Sequence, residues 1–177
     1  MNQNIASVFC AGLAVLLVAG CAQEQPAHEG NSTQMAAQRG QIEQASFGTG
    51  VRVTQIGPNR LQIDVPSDAG FASDSPMVNP RLFPVLDAVA RALASRPDET
   101  VQILGYTDSS GSDLINLPLS LNRAQSVDNY LVSRGIASAR ITAKGLGDSD
   151  PVASNATPAG RSLNRRVDIY LSLGAAR

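Results

Sequence analysis

The chain of 177 residues has no tryptophan, and aromatic residues make up only 4% of it. A carbohydrate site built on stacked aromatic rings is therefore not expected. Any glycan-linked ligand would have to be held by polar or charged groups. Histidine occurs once, at His28, and the two cysteines, Cys10 and Cys21, both lie near the N-terminus. The body of the chain thus lacks the residues for a disulfide, a thiolate or imidazole metal site, or a Cys/His or Ser/His/Asp catalytic system. Net charge is −1 with a pI near 5.7, without the basic excess of a nucleic-acid binder. Lys144 is the single lysine, so nearly all cations are arginines. Arginine offers planar, two-pronged contact with carboxylates and phosphates.

What is present begins with an apolar run over residues 5–19. It is too short for a comfortable transmembrane helix and has the length of a signal-peptide core. It ends in Val18-Ala19-Gly20-Cys21, which resembles a lipobox, with small residues before a cysteine whose thiol would receive a diacylglycerol. Residues 1–20 are accordingly expected to be a lipoprotein signal peptide, although M-N-Q-N ahead of the run lacks a basic residue. Ala22 follows Cys21 where an aspartate would suggest inner-membrane retention; by analogy with lipoprotein sorting, this favours the outer membrane and a periplasmic domain. Residues 21–50 are rich in Gln, Ala, Gly, Ser and Glu and read as the lipidated cysteine and a flexible tether, with a helical turn or two at most around M-A-A-Q-R-G-Q-I-E-Q. Residues 174–177 form a short tail.

Residues 51–173 carry the patterns of one folded domain. V-R-V-T-Q-I and R-L-Q-I-D-V alternate about Gly57-Pro58-Asn59 and predict a hairpin. Asn79-Pro80 offers a helix cap and first position, followed by Leu82, Val85, Leu86, Val89 and Leu93 at helical spacing. T-V-Q-I-L-G-Y is a strand, and a loop follows over residues 107–118. Ser120 is expected to cap a second helix ending near Gly135. R-I-T-A-K-G is a strand, residues 146–162 a long loop, and R-R-V-D-I-Y-L-S the last strand. The order β-β-α-β-α-β-β predicts an α/β (α+β sandwich) domain with helices on one face of a mixed sheet.

The chemistry concentrates between Gly105 and Ala124. Asp108 falls just past a strand end, and the expected cap places Arg123 in the first turn of the next helix, whose free N–H groups also suit an anion. One strand-loop-helix corner would then present an acceptor for a cation beside an acceptor for an anion, and the matching ligand is a zwitterion. The alternative is that Asp108 and Arg123 merely fasten loop to helix by pairing with each other.

G-Y-T-D, Asn116, Leu119-Ser120, Arg123-Ala124, Gly145-Leu146-Gly147, Pro151, Asn155, Gly160-Arg161 and Asn164-Arg165-Arg166-Val167, in this order and spacing, resemble the OmpA-like peptidoglycan-binding domain over roughly residues 61–173. The resemblance implies that fold, no catalysis and no cofactor. It implies a ligand, the free ammonium and carboxylate of meso-diaminopimelate in the peptidoglycan stem peptide, taken by Asp108 and Arg123. It further implies Asn116 and Leu119 as residues shaping the pocket, Thr107 as a supporting hydrogen-bonding residue, and Arg165 directed at the peptide's other carboxylates. Tyr106 stands where the family commonly has histidine. Two rival readings remain: a sensor or secretion component that docks on the wall and on an envelope protein partner, and a wall hydrolase using Asp108 with Asp113. Asp74 is a further candidate for the pocket rim, with surface capping the plainer role.

Overall fold

The computed structural model describes residues 27–72 and 75–173; the expected signal peptide, Cys21, Asp74 and the expected C-terminal tail lie outside them. Among the described residues, five strands, numbered in chain order, form one sheet in the order β1-β2-β5-β3-β4. The hairpin pairs β1 (Arg52–Gln55) with β2 (Arg60–Pro66). The last strand, β5 (Arg166–Leu173), enters between β2 and β3 (Glu99–Gly105), antiparallel to both, and β4 (Ile141–Gly145) runs parallel to β3.

Register explains the core. Leu61 pairs with Leu171, Ile63 with Ile169 and Val65 with Val167, while Val101 and Ile103 face Leu171 and Ile169 from the other side. Because strand side chains alternate, all of these point to one face, and all are buried. The amphipathic helix α3 (Phe83–Ser95) and the long helix α4 (Asp113–Ser133) complete this core through Val85, Leu86, Val89, Leu93, Ala124, Val127 and Leu131. The opposite face carries Gln62, Gln102, Asp168 and Tyr170. Asn79 caps a short 3-10 turn leading into α3, its side chain accepting from Arg81 N at 3.0 Å.

Three elements differ from the sequence expectation. Residues 27–45 of the expected coil form a helix, α1 (Ala27–Ala45). Met35, Gln38 and Ile42 recur at helical spacing and are buried against the body. Gln38 donates to Ala92 O and to the buried carboxylate of Glu99, both at 3.3 Å. Tertiary burial of two apolar side chains overrides a polar, glycine-containing composition.

Second, α4 starts at Asp113, seven residues before Ser120, and passes through Pro118. A proline inside a helix removes a hydrogen bond and usually marks a boundary. Here the first turns are secured independently: Ile115 N and Asn116 N bond Ser112 O, and the Asn116 side chain donates to Asp108 O and Gly111 O. Ser120 is fully buried and is no cap; its hydroxyl donates to Leu117 O and accepts from Gly147 N.

Third, a short helix, α5 (Pro158–Asn164), interrupts the expected 146–162 loop, capped by Thr157 Oγ1 accepting from Gly160 N. Thr157-Pro158 is a cap followed by a first-turn proline, a start signal in plain sight.

Gly105 and Gly145 let α4 lie against the ends of β3 and β4. A Cβ on Gly105 would collide with the Ser120 carbonyl, and one on Gly145 with the Leu121 backbone. The requirement at both is close approach of two backbones, which only a residue without a Cβ allows.

Candidate functional site

A cleft of about 550 Å³ opens where the ends of β2, β3 and β5 meet α4. Thr107, Asp108, Asn116, Leu119, Arg123 and Arg165 all line it. The strand end of β3 carries Thr107 and Asp108, α4 contributes Asn116, Leu119 and Arg123, and the junction of α5 with β5 contributes Arg165. A fourth wall escaped the sequence reading: Ser67 and Asp68 on α2 (Ser67–Gly70), and Phe71 after it. These belong to S-D-A-G-F-A-S-D-S, residues 67–75, whose small and polar composition reads in the sequence as a loop. The pairing of β2 with β5 brings it to Arg165, and Ser67 N bonds Arg165 O at 2.9 Å.

Asp108 is buried, and its two oxygens have separate partners. Oδ2 accepts from Arg165 NH1 at 2.7 Å, and Oδ1 accepts from Ser110 N at 2.8 Å. Burial works against its ionisation, but the hydrogen bonds from Arg165 and Ser110 outweigh it, so the carboxyl sits below its ordinary value. Asp68 follows the same pattern: burial opposes ionisation, and Arg165 and Ser162 overcome it. Both acids are therefore charged at neutral pH.

Arg123 is buried on the far side. Its guanidinium lies 5.6 Å from the Phe71 ring centroid, Nε donates to Ser75 O at 3.2 Å, and NH1 reaches Ser67 Oγ at 3.4 Å. Because α4 begins at Asp113, Arg123 lies ten residues in, about 15 Å from the start of the helix. The helix N-terminus therefore does not act where Arg123 acts, and the guanidinium itself is the positive group. The ion pair that Asp108 makes is with Arg165, not the fastening to Arg123 that the sequence left open.

Thr107 Oγ1 is buried, with no hydrogen-bond partner among the described residues. Asn116 spends both amide hydrogens on loop carbonyls, so it holds the loop that carries Asp108. Asp113 is exposed in the first turn of α4 and does not line the cleft, so the Asp108–Asp113 pair of the hydrolase reading does not form there.

Neighbouring motif residues serve structure. Asn164 Oδ1 accepts from Val152 N and Ala153 N, while Nδ2 donates to Ala153 O and Asn155 Oδ1. Arg166 packs 3.8 Å over the Tyr106 ring and pairs with buried Asp168 at 3.3 Å. Tyr106 thus points into the polar face of the sheet, where burial pushes its phenol up to about 12. Among the described residues, no group of His, Cys, Asp and Glu could hold a metal ion, and no helix is long and apolar enough to cross a membrane.

Known proteins resemble this chain in sequence and fold. The chain is 34% identical to the outer-membrane lipoprotein YfiB of Pseudomonas aeruginosa, over 89% of this chain and 87% of that protein. It is 48% identical to the peptidoglycan-binding protein ArfA of Mycobacterium tuberculosis, over 58% of this chain and 31% of ArfA. Several relatives are longer proteins, of which the chain spans less than two thirds. The solved structure of the cell wall anchor of the T6SS from Pseudomonas aeruginosa superimposes with a TM-score of 0.62 at 32% identity, covering 80% of this chain and 93% of that one. Residues 70–165, more than half of the chain and nearly all of the cleft, match the OmpA family, to which this protein belongs.

Proposed function

We propose that this protein binds peptidoglycan without cutting it, through the meso-diaminopimelate of the stem peptide, and so ties a lipid-bearing membrane to the cell wall. The observation that carries the reading is the separation of charge in one cleft. Asp108 stands ionised at one side and Arg123, with its carbonyl and hydroxyl acceptors, at the other. A carbon bearing an ammonium and a carboxylate can address both, with charge-assisted hydrogen bonds at each end. The Thr107 hydroxyl, which has no hydrogen-bond partner among the described residues, offers a further contact, Leu119 an apolar wall, and Arg165 a cation for another carboxylate of the peptide. The likeness to ArfA, a peptidoglycan-binding protein, and to the T6SS cell wall anchor supports peptidoglycan as the ligand.

The anchor is read from Val18-Ala19-Gly20-Cys21, with diacylglycerol on Cys21 and Ala22 favouring the outer membrane. The likeness to an outer-membrane lipoprotein over most of both chains supports that placement. A role as the wall-docking part of a larger envelope machine is the second reading, favoured by the resemblance to the T6SS anchor.

Co-sedimentation with purified diaminopimelate-type peptidoglycan tests the binding. Wild type should pellet with the wall, and Asp108→Ala and Arg123→Ala should stay in solution. Undiminished pelleting of both variants would overturn the reading, and release of soluble muropeptides would contradict a non-catalytic role. Globomycin-sensitive labelling with a palmitate analogue, followed by membrane fractionation, tests Cys21 and the membrane that holds it.

A further inference from the structure

Arg165 is shared between two acids. NH1 donates to Asp108 at 2.7 Å, and NH2 donates to the two oxygens of Asp68 at 3.3 and 3.0 Å. Asp68 is itself steadied by Ser162 Oγ, which donates to Oδ2 at 2.9 Å. It also lies within the field of Arg123 across the cleft. No cleft role was foreseen for Asp68, because it sits two residues past the end of β2 in a stretch with no recognisable pattern.

The charge count gives Asp68 its meaning. Asp108 and Arg165 alone sum to zero, and a neutral pair offers little attraction to an ammonium group. With Asp68 the trio carries one net negative charge, facing the positive Arg123. That side of the cleft is then acidic, as the ammonium end of a zwitterion requires. An ammonium arriving at Asp108 must also share it with, or take it from, Arg165. Asp68 is the second acceptor that keeps Arg165 in place when that happens.

We propose that Asp68 is a positioning residue for the ammonium end of the ligand: it draws the charge of Arg165 away from Asp108 and holds that guanidinium while Asp108 engages the ligand. The inference rests on the zwitterion reading of the cleft given above. The Asp68 side chain is 60% exposed, so solvent and salt screen its effect. The expected loss on neutralising it is therefore modest, about two- to fivefold in affinity, far short of losing Asp108 itself.

The test is calorimetric titration of the full chain with meso-diaminopimelic acid, at low and at high salt, for wild type, Asp68→Asn, Asp68→Glu and Ser162→Ala. Asp68→Asn should weaken binding by that factor at low salt and by less at high salt. Asp68→Glu should restore most of the affinity, and Ser162→Ala, which leaves the charge in place, should show a smaller loss. A second readout separates charge from structure: with Asn at position 68, Arg165 serves Asp108 alone, and the Asp108 carboxyl followed by NMR should titrate at lower pH than in wild type. Wild-type affinity in Asp68→Asn, or an unmoved Asp108 titration, would overturn the proposal while leaving the cleft reading intact. A wild-type chain that ignores diaminopimelate would instead overturn the cleft reading itself, so the two failures are told apart by the wild-type arm.

Discussion

Arg165 and Asp108 meet at 2.7 Å, the shortest ion-pair distance to an acid that lines the cleft. Asp108 is therefore presented to a ligand already ionised, although it is buried. Replacing Arg165 with Ala removes the strongest contact favouring ionisation and leaves burial in force. The Asp108 carboxyl should then rise from below its ordinary value to at or above it, as followed by NMR titration. A titration unchanged from wild type would show that Arg165 does not hold the acid.

The same two acids set a pH limit. Asp68 and Asp108 both have depressed values in the folded state. Their contribution to stability is fully present above the unfolded carboxylate value, about 3.9, and is lost as pH falls through the folded values. Thermal unfolding from pH 5 to pH 2 should show this loss, and Asp68→Asn/Asp108→Asn should flatten that part of the curve. Binding of diaminopimelate should fade over the same acidic interval and stay constant between pH 5 and 8.

Glu99 behaves in the opposite sense. Burial beneath α1 raises its carboxyl above the ordinary value, and Gln38 only partly compensates. An acid with a raised folded value favours folding when protonated, so its destabilising charge is relieved as pH falls through that value towards the unfolded one. Glu99→Gln removes the buried charge and should stabilise the protein at pH 7 by on the order of 1 kcal/mol, measured by urea unfolding. A marked destabilisation would mean that the carboxylate is better satisfied than its single side-chain hydrogen bond suggests.

The packing of α1 and α4 can be tested by single side chains. Ile42→Ala should cost about 2–4 kcal/mol if α1 is docked as described, and next to nothing if residues 27–45 behave as a coil. Gly105→Ala forces a Cβ into the Ser120 carbonyl and should cost about 2–3 kcal/mol by overpacking. It should also weaken wall binding, because Gly105 and Ser120 fix the spacing between the β3 end and α4.

The sequence disclosed the strands, α3 and all six candidate residues of the cleft, for definite reasons. Alternation in R-L-Q-I-D-V and R-R-V-D-I-Y-L-S follows from one buried sheet face, and the motifs at Asp108, Arg123 and Arg165 occupy positions that the fold gathers at the ends of its central strands. The start of α4 was obscured by Pro118, since local propensity argues for a boundary there and the Asn116 clamps that override it are tertiary. Helix α1 was obscured because two buried apolar side chains in a polar segment make too weak a pattern. Asp68 was missed because its importance comes from Arg165, a partner 97 residues away. The partner of Asp108 was likewise not foreseen: Arg165, 57 residues on and just ahead of β5, reaches the acid directly.

The most direct measurement is calorimetric titration of the purified protein with meso-diaminopimelic acid beside pimelic acid, which keeps the chain length and carboxylates but has no ammonium groups. Saturable binding of diaminopimelate is expected, with none of pimelic acid, and with the signal abolished in both Asp108→Asn and Arg123→Ala. Equal binding of the two acids, or diaminopimelate binding that survives both substitutions, would contradict a zwitterion held between Asp108 and Arg123.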